Sequence, residues 1–313
     1  RKLGCKQRIG FFNHTPFPAP DVFKTIPQHK ELMRSFFAYD LVGMQIPRDV
    51  QNFRRYVENE QVGKNVGDQR IEAFGQKINL QHFPIGIDVS SMEALDADAD
   101  STYIIDRLKK ERKNGRMLLV GVDRLDYSKG IPERLTALGD LLEKRSDLKN
   151  KVTFIQIAAP SRQNVPAYAK LARDTRALVK NINKKYATKS WLPIVYIDHS
   201  VSRNVLPDIY RMSRVGVVTS KADGMNLVSK EYVAAQNPHN PGILVLSEAA
   251  GSAYQLKEAI QVPPEDLAAI TEGYEKALSM PLRERRTRHR QLLENVQTQN
   301  LDKWRADYLA ALC

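Results

Sequence analysis

Short apolar runs of four to six residues alternate with longer amphipathic stretches along almost the whole chain, and few architectures accommodate that rhythm. The runs are Ile9–Phe12, Leu41–Gln45, Met117–Val122, Val152–Ile157, Ile194–Ile197, Val215–Val218 and Ile243–Leu246. Helix-period patterns lie between them at Asp49–Glu58, Pro132–Lys144, Val165–Tyr186, Asn204–Met212 and Leu227–Gln236. Strands separated by helices predict βαβ units and a largely parallel sheet, hence an α/β fold. Proline-rich Pro16–Pro20 and Pro238–Pro241 punctuate the pattern as loops.

The polar segment Asp88–Lys113, acid-rich at Asp96–Asp100, reads as a linker. After it come about six βα units, enough for one doubly wound domain. Before it lie two or three, which predicts an incomplete Rossmann-like domain. The expected organisation is therefore residues 1–97 as the remnant of that domain and 98–298 as the complete one. The last amphipathic stretch, Leu282–Leu312, reads as long and helical with Trp304 and Tyr308 on a docking face, and residues 299–313 are expected to cross back to the first domain as a terminal helix.

Composition narrows the chemistry. Forty-eight Lys and Arg against 36 Asp and Glu leave a net charge of +12, which favours anionic partners among the 313 residues' binding options. The densest basic run, Arg283–Arg290, reads as the solvated face of a late helix, and no nucleic-acid module or aromatic interleaving accompanies it. No apolar run approaches the ~18 residues of a membrane span, so neither nucleic acid nor membrane is expected as a partner. The two cysteines, Cys5 and Cys313, make no disulfide framework and no metal spacing; a reducing cytoplasm is the expected location. P-loop, dinucleotide-glycine, zinc-protease and serine-elbow signatures are all missing, and no metal or cofactor is expected.

Four constellations carry candidate chemistry at strand ends, where open α/β sheets bind ligands. Val122–Gly130 sets Arg124 and Lys129 where a diphosphate could be clamped, the first as a fork and the second as a point charge. The competing reading is a surface turn in which Asp126 and Lys129 pair locally. Ala222–Glu231 offers Gly224 for a tight turn, a helix start for an anion, and Glu231 to accept two ribose hydroxyls. Asp223 or Asn226 could equally be a plain N-cap there. Phe11–Pro18 puts His14 at a strand end beside a rigid turn, and Gln156–Arg162 carries Arg162 off the next strand. Singly each is weak, yet all four fall on the same kind of edge.

At these residues the sequence resembles the trehalose-6-phosphate synthases, retaining glycosyltransferases of family 20 with two facing Rossmann-like domains (GT-B). The resemblance rests on residues 9–23, 83–88, 124–135, 156–162, 223–236 and 241–253, in that order and spacing. It implies transfer of glucose from UDP-glucose to glucose 6-phosphate, with front-face attack and retention. It further implies that Arg124 and Lys129 hold the donor diphosphate, that Asp223 takes the glucose hydroxyls, and that Gly224, Met225, Asn226, Leu227 and Val228 turn their backbone to sugar and phosphate. Glu231 matches a ribose ligand, and Val201 and Leu206 fall where the family's backbone meets uracil. His14 matches a histidine between donor glucose and acceptor, and Arg162 an arginine at the acceptor phosphate. The family's N-terminal glycine loop and its acceptor-embracing residues have no counterpart here, so the donor half is expected complete and the acceptor half partial. The chain could then be an inactive fragment. A sister transferase with glycerol 3-phosphate or another acceptor, a different nucleotide-glucose donor, and a non-catalytic nucleotide-sugar-binding module stay open. So does a homo-oligomer.

Overall fold

The computed structural model describes residues 4, 6–92 and 99–313. Their contacts divide the chain at Gly86/Ile87 and at Thr298/Gln299, leaving two compact units, the first including Gln299–Cys313. The domain boundary expected at residues 97 and 98 lies outside the described residues, as does Cys5.

The first unit carries β1 (Gly10–Phe12), β2 (Leu41–Met44), β3 (Gly63–Asn65), β4 (Arg70–Ala73) and β5 (Gln76–His82), in sheet order β1-β2-β5-β4-β3. β1, β2 and β5 run parallel, while β4 and β3 continue antiparallel from β5. All four residues of β2 are buried, as expected of a strand covered on both faces. Helices α1 (Pro20–Phe23), α2 (His29–Phe36) and α3 (Pro47–Asn59) close on an aromatic core of Phe17, Phe23, Phe36, Phe53 and Tyr56. The chain's last helix, Leu301–Leu312, lays Tyr308 over β1 and β2, where Gly10 and Gly43 leave room for its ring. Trp304 and Tyr308 both pack edge-on against Phe12, with centroids 5.1 and 5.8 Å away.

Two polar side chains of α3 hold the loop that follows β1. Asp49 Oδ1 accepts from the Phe17 amide (3.1 Å), and Asn52 Nδ2 donates to the Phe17 carbonyl (2.9 Å). Asp49 is fully buried with its other oxygen unpartnered, and burial pushes its carboxyl up to about 6 against the opposing Phe17 hydrogen bond and Arg48 charge.

The second unit is a six-stranded sheet, all parallel, in order β8-β7-β6-β9-β10-β11. Its strands are β6 (Met117–Arg124), β7 (Val152–Ala159), β8 (Ile194–Ile197), β9 (Val215–Val218), β10 (Ile243–Ser247) and β11 (Ile260–Val262). Helices α5 (Ile131–Lys144), α6 (Pro166–Tyr186) and α9 (Leu267–Ser279) cover one face. Helices α4 (Ala99–Lys113), α7 (Leu206–Met212), α8 (Leu227–Ala235) and α10 (Leu282–Thr298) cover the other. The final helix of the chain is thus α11. From β6 the chain winds outward to β8, then returns to set β9 on the other side of β6. Such a reversal opens a crevice at the carboxyl ends of the two strands. β6 and β9 pair only through Leu119–Val215 and Val120–Gly216, well before β6 ends.

The α/β class and the doubly wound second sheet agree with the sequence reading, and two of its details do not. The expected linker Asp88–Lys113 is largely α4, which buries Ile104, Ile105 and Leu108 against the sheet; its high charge hid an apolar stripe. The helical stretch Leu282–Leu312 comprises α10 and α11, with the Asn300 side chain capping the second at the Lys303 amide (2.9 Å). The basic run is not simply solvated. Arg285 and His289 are buried, Arg285 donating to Asn240 Oδ1 (3.0 Å) and to the Pro241 carbonyl, Arg286 to the His239 carbonyl (2.8 Å). Burial pushes Arg285 down to about 10.

Asp49 predicts a pH signature. Its folded pKa lies above the unfolded value of 3.8, so the native state binds the extra proton, and stability from this group is present below about pH 4 and lost as pH rises through about 6. Asp49→Asn keeps the acceptor for Phe17 and removes the titration. Urea unfolding is expected to show the variant gaining on the order of 2 kcal/mol over wild type at pH 7, and little at pH 4. An equal difference at both values would contradict the assignment.

Candidate functional site

The crevice between β6 and β9 is built by two loops tied to each other. After β6 the chain forms a 3-10 turn, Tyr127–Lys129, that enters α5 through Gly130. Asp126 N-caps the turn, its Oδ1 accepting from the Ser128 amide (2.9 Å) and hydroxyl (2.8 Å). Burial works to raise the Asp126 carboxyl, but these bonds and one from Tyr168 outweigh it and hold the group below its usual value. Gly130 has φ +62°, and a Cβ there would collide with the Thr219 carbonyl at the end of β9. Only glycine permits both the left-handed turn and the close approach.

The second loop, Thr219–Asn226, leaves β9 and enters α8. The Lys221 amide donates to the Ser128 carbonyl (2.7 Å), and Lys221 Nζ pairs with Glu133 Oε1 (2.6 Å) on α5. The left-handed residue here is Asn226 (φ 71°) rather than Gly224, whose buried backbone packs at Gly251. Asparagine tolerates that conformation better than most side chains. Its Oδ1 caps α8 at the Ser229 amide (3.0 Å) while its Nδ2 donates to Asp223 Oδ2 (3.0 Å).

Beneath both loops lies Arg134, fully buried on α5. Its Nε donates to Thr219 Oγ1 (2.9 Å), its Nη2 to the Lys129 carbonyl (2.8 Å), and its Nη1 stands 2.8 Å from Asp123 Oδ2 at an angle that makes an ion pair rather than a hydrogen bond. One guanidinium thus joins the end of β6, the turn and the end of β9. Burial raises the Asp123 carboxyl, against the charges of Arg134 and Lys129.

Above this base Lys129, Asp223 and Asn226 meet. Lys129 Nζ donates to Asp223 Oδ2 at 2.5 Å across 94 residues of sequence, so the local Asp126–Lys129 pairing considered above does not form. Arg124 ends β6 exposed. Gly224, Met225 and Asn226 are buried; Leu227 and Val228 open α8. Glu231 is half-buried one turn into α8; burial pushes its carboxyl up, and Tyr210 Oη donates to it (3.3 Å). Val201 and Leu206 are partly buried against the core on the α7 side of the sheet. Arg162 follows β7 with a left-handed backbone (φ 47°), its Nη1 on Tyr168 Oη (2.8 Å), which in turn donates to Asp126 Oδ2 (3.0 Å). Such backbone strain in a non-glycine is typical of functional loops. His14 belongs to the first unit, where it is exposed just past β1 with its ring 4.8 Å from that of Phe12. Among the described residues no group of three or more His, Cys, Asp or Glu is arranged for a metal ion, and no helix is long and apolar enough to cross a membrane.

Arg134, Thr219, Tyr168 and the Asp49–Asn52 clamp escaped the sequence reading. Arg134 left a signal: a charge at a core-facing position between Ile131 and Leu138 of an otherwise apolar helix face.

Comparison with known proteins adds a second line of argument. The family model of Glycosyltransferase family 20 matches residues 1–313. The trehalose-6-phosphate synthase of Klebsiella pneumoniae is 39% identical over 312 residues, which cover 100% of this chain and 65% of that relative's length. An alpha,alpha-trehalose-phosphate synthase (UDP-forming) from Burkholderia xenovorans, solved in complex with glucose-6-phosphate, is similar in structure, with TM-score 0.93 and 39% identity over 100% of this chain and 70% of that one. A structure from E. coli bound with UDP-2-fluoro glucose matches with TM-score 0.93 and 36% identity, again over 100% of this chain and 69% of the other.

Arg134→Met, close in volume, would leave Asp123 buried without its ion-pair partner. The expected loss is on the order of 3 kcal/mol of unfolding free energy, read by urea titration. A loss below about 1 kcal/mol would show that the loops stand without the guanidinium.

Proposed function

Since the chain belongs to glycosyltransferase family 20, we propose that it serves the transfer of glucose from UDP-glucose to glucose 6-phosphate, yielding α,α-trehalose 6-phosphate with retention at the donor carbon. The observation that carries the reading is the meeting of Lys129 and Asp223, from two different loops, at the carboxyl ends of β6 and β9. A cation and a hydroxyl-accepting carboxylate side by side at a switch point suit a sugar joined to a diphosphate.

In this reading Arg124 and Lys129 hold the diphosphate, and the amides at the start of α8 face its charge. Asp223 accepts from the glucose hydroxyls, and Glu231 from the ribose. The bond between the anomeric carbon and the β-phosphate oxygen breaks, its electron pair passing to the phosphate. The acceptor's anomeric hydroxyl adds on the same face and gives its proton to the leaving phosphate oxygen, so UDP departs without a protein nucleophile. The positive groups stabilise the growing charge on the leaving group, the largest contribution available to such a step. Arg162 and His14 keep the acceptor-side roles that the resemblance implies. Cytoplasmic location and action without a metal belong to the same proposal.

Calorimetric titration of the chain with UDP tests the donor half. Saturable binding is expected, weakened at least about tenfold, or ~1.4 kcal/mol, by Arg124→Ala. No response from the folded chain would remove the donor site. In glucose transfer itself, Lys129→Ala is expected to cost on the order of 100-fold in turnover, as loss of one preorganised donor does elsewhere. Near-normal turnover would sink the clamp.

A further inference from the structure

We infer that Asp223 also acts as a competitor for Lys129, so that the site favours the intact sugar nucleotide over the spent nucleoside diphosphate. The inference rests on the donor-site reading above and adds a discriminating role to it.

The ion pair is short (2.5 Å) and each side chain is only 16% exposed, so water screens it weakly. Both main chains are pinned. The Asp223 amide donates to the Ala249 carbonyl (3.3 Å), and the Gly251 amide donates to the Asp223 carbonyl (3.0 Å). The Lys129 amide donates to the Asp126 carbonyl (3.0 Å), and its carbonyl accepts from Arg134. Asn226 Nδ2 further fixes the carboxylate at Oδ2. These bonds hold both backbones, so separating the pair falls chiefly to the long lysine stem.

A diphosphate that takes the Lys129 ammonium must therefore draw it from Asp223. It leaves a partly buried carboxylate beside a polyanion, its remaining side-chain donors being Asn226 Nδ2 at 3.0 Å and the more distant Ser220 hydroxyl at 3.5 Å. Burying a charge short of partners is costly. A hexose on the diphosphate brings hydroxyls that donate to that oxygen and offset the loss. A free nucleoside diphosphate brings none, and the carboxylate competes with its terminal phosphate for the same cation. Once the sugar has been transferred, the pair re-forms against the product, which promotes its release.

Binding affinities of opposite sign test this. Asp223→Asn keeps the shape and one acceptor oxygen while removing the charge. In calorimetry on the 313-residue chain, the variant is expected to bind UDP about three- to tenfold more tightly than wild type and UDP-glucose more weakly. In a Lys129→Ala background the gain for UDP should shrink to less than about twofold, because the contested cation is gone. Circular dichroism and thermal melts confirm that each variant is folded. Weaker binding of both ligands to folded Asp223→Asn would show that the carboxylate merely shapes the loop, and would overturn the inference while leaving the donor site standing. An unchanged UDP affinity would do the same. Absence of UDP binding by the folded wild-type chain would instead overturn the donor-site reading, and this inference with it.

Discussion

The guanidinium of Arg134 is the joint on which the second unit's chemistry depends. Strand ends in a parallel sheet are laid down by backbone hydrogen bonding, but β6 and β9 stop pairing with each other before their ends, so the ladder between them does not set how the two following loops meet. Arg134 supplies that instruction from below, holding the Lys129 carbonyl, the Thr219 hydroxyl and the Asp123 carboxylate at once. A fully buried cation is tolerated because three groups satisfy it, and that multiplicity makes its position definite. Arginine suits the task through its planar fork, which lysine cannot imitate.

On this base sits a concentration of charge that ordinary surfaces avoid. Lys129 meets Asp223, Lys221 meets Glu133, and Tyr168 links Arg162 to Asp126, all around a crevice that also receives the first turn of α8. Left-handed backbone at Asn226 and Arg162 shows that the loops bend to the site rather than to the easiest conformations. In the first unit the same economy recurs on a smaller scale. Asp49 and Asn52, one helical turn apart, grip the amide and carbonyl of Phe17, and so fix the exit of the strand that carries His14.

Much of this was legible in the amino-acid order. Apolar runs at Met117, Val152, Val215 and Ile243 became strands where expected, because a strand buried on both faces cannot avoid being apolar. Strands β3, β4 and β5 carry no such run. In β4 and β5 the residues alternate, with Ile71, Ala73, Ile78 and Leu80 inward and polar neighbours outward, while β3 buries none of its three residues. The α4 helix was hidden by its charge, and the basic run on α10 looked solvated because sequence does not reveal that Asn240, Pro241 and His239 present oxygens to it. Arg124, Lys129, Asp223 and Glu231 stand out in the sequence because each lies beside a strand end or a helix start, positions recognisable from local pattern.

What the sequence determined by itself was set over short distances along the chain: the period of most strands and helices, and the strand ends and helix starts at which the charged residues stand. Which partner each charge takes was decided by the tertiary structure alone. Lys129 has Asp126 three residues away and Asp223 94 residues away, and it pairs with the distant one. The reason is that Asp126 is spent on the Ser128 amide and hydroxyl, while the reversal of strand order brings the loop after β9 against the turn after β6. Local propensity ranks the near partner first. Only the completed sheet, with Arg134 beneath it, puts the far one within reach.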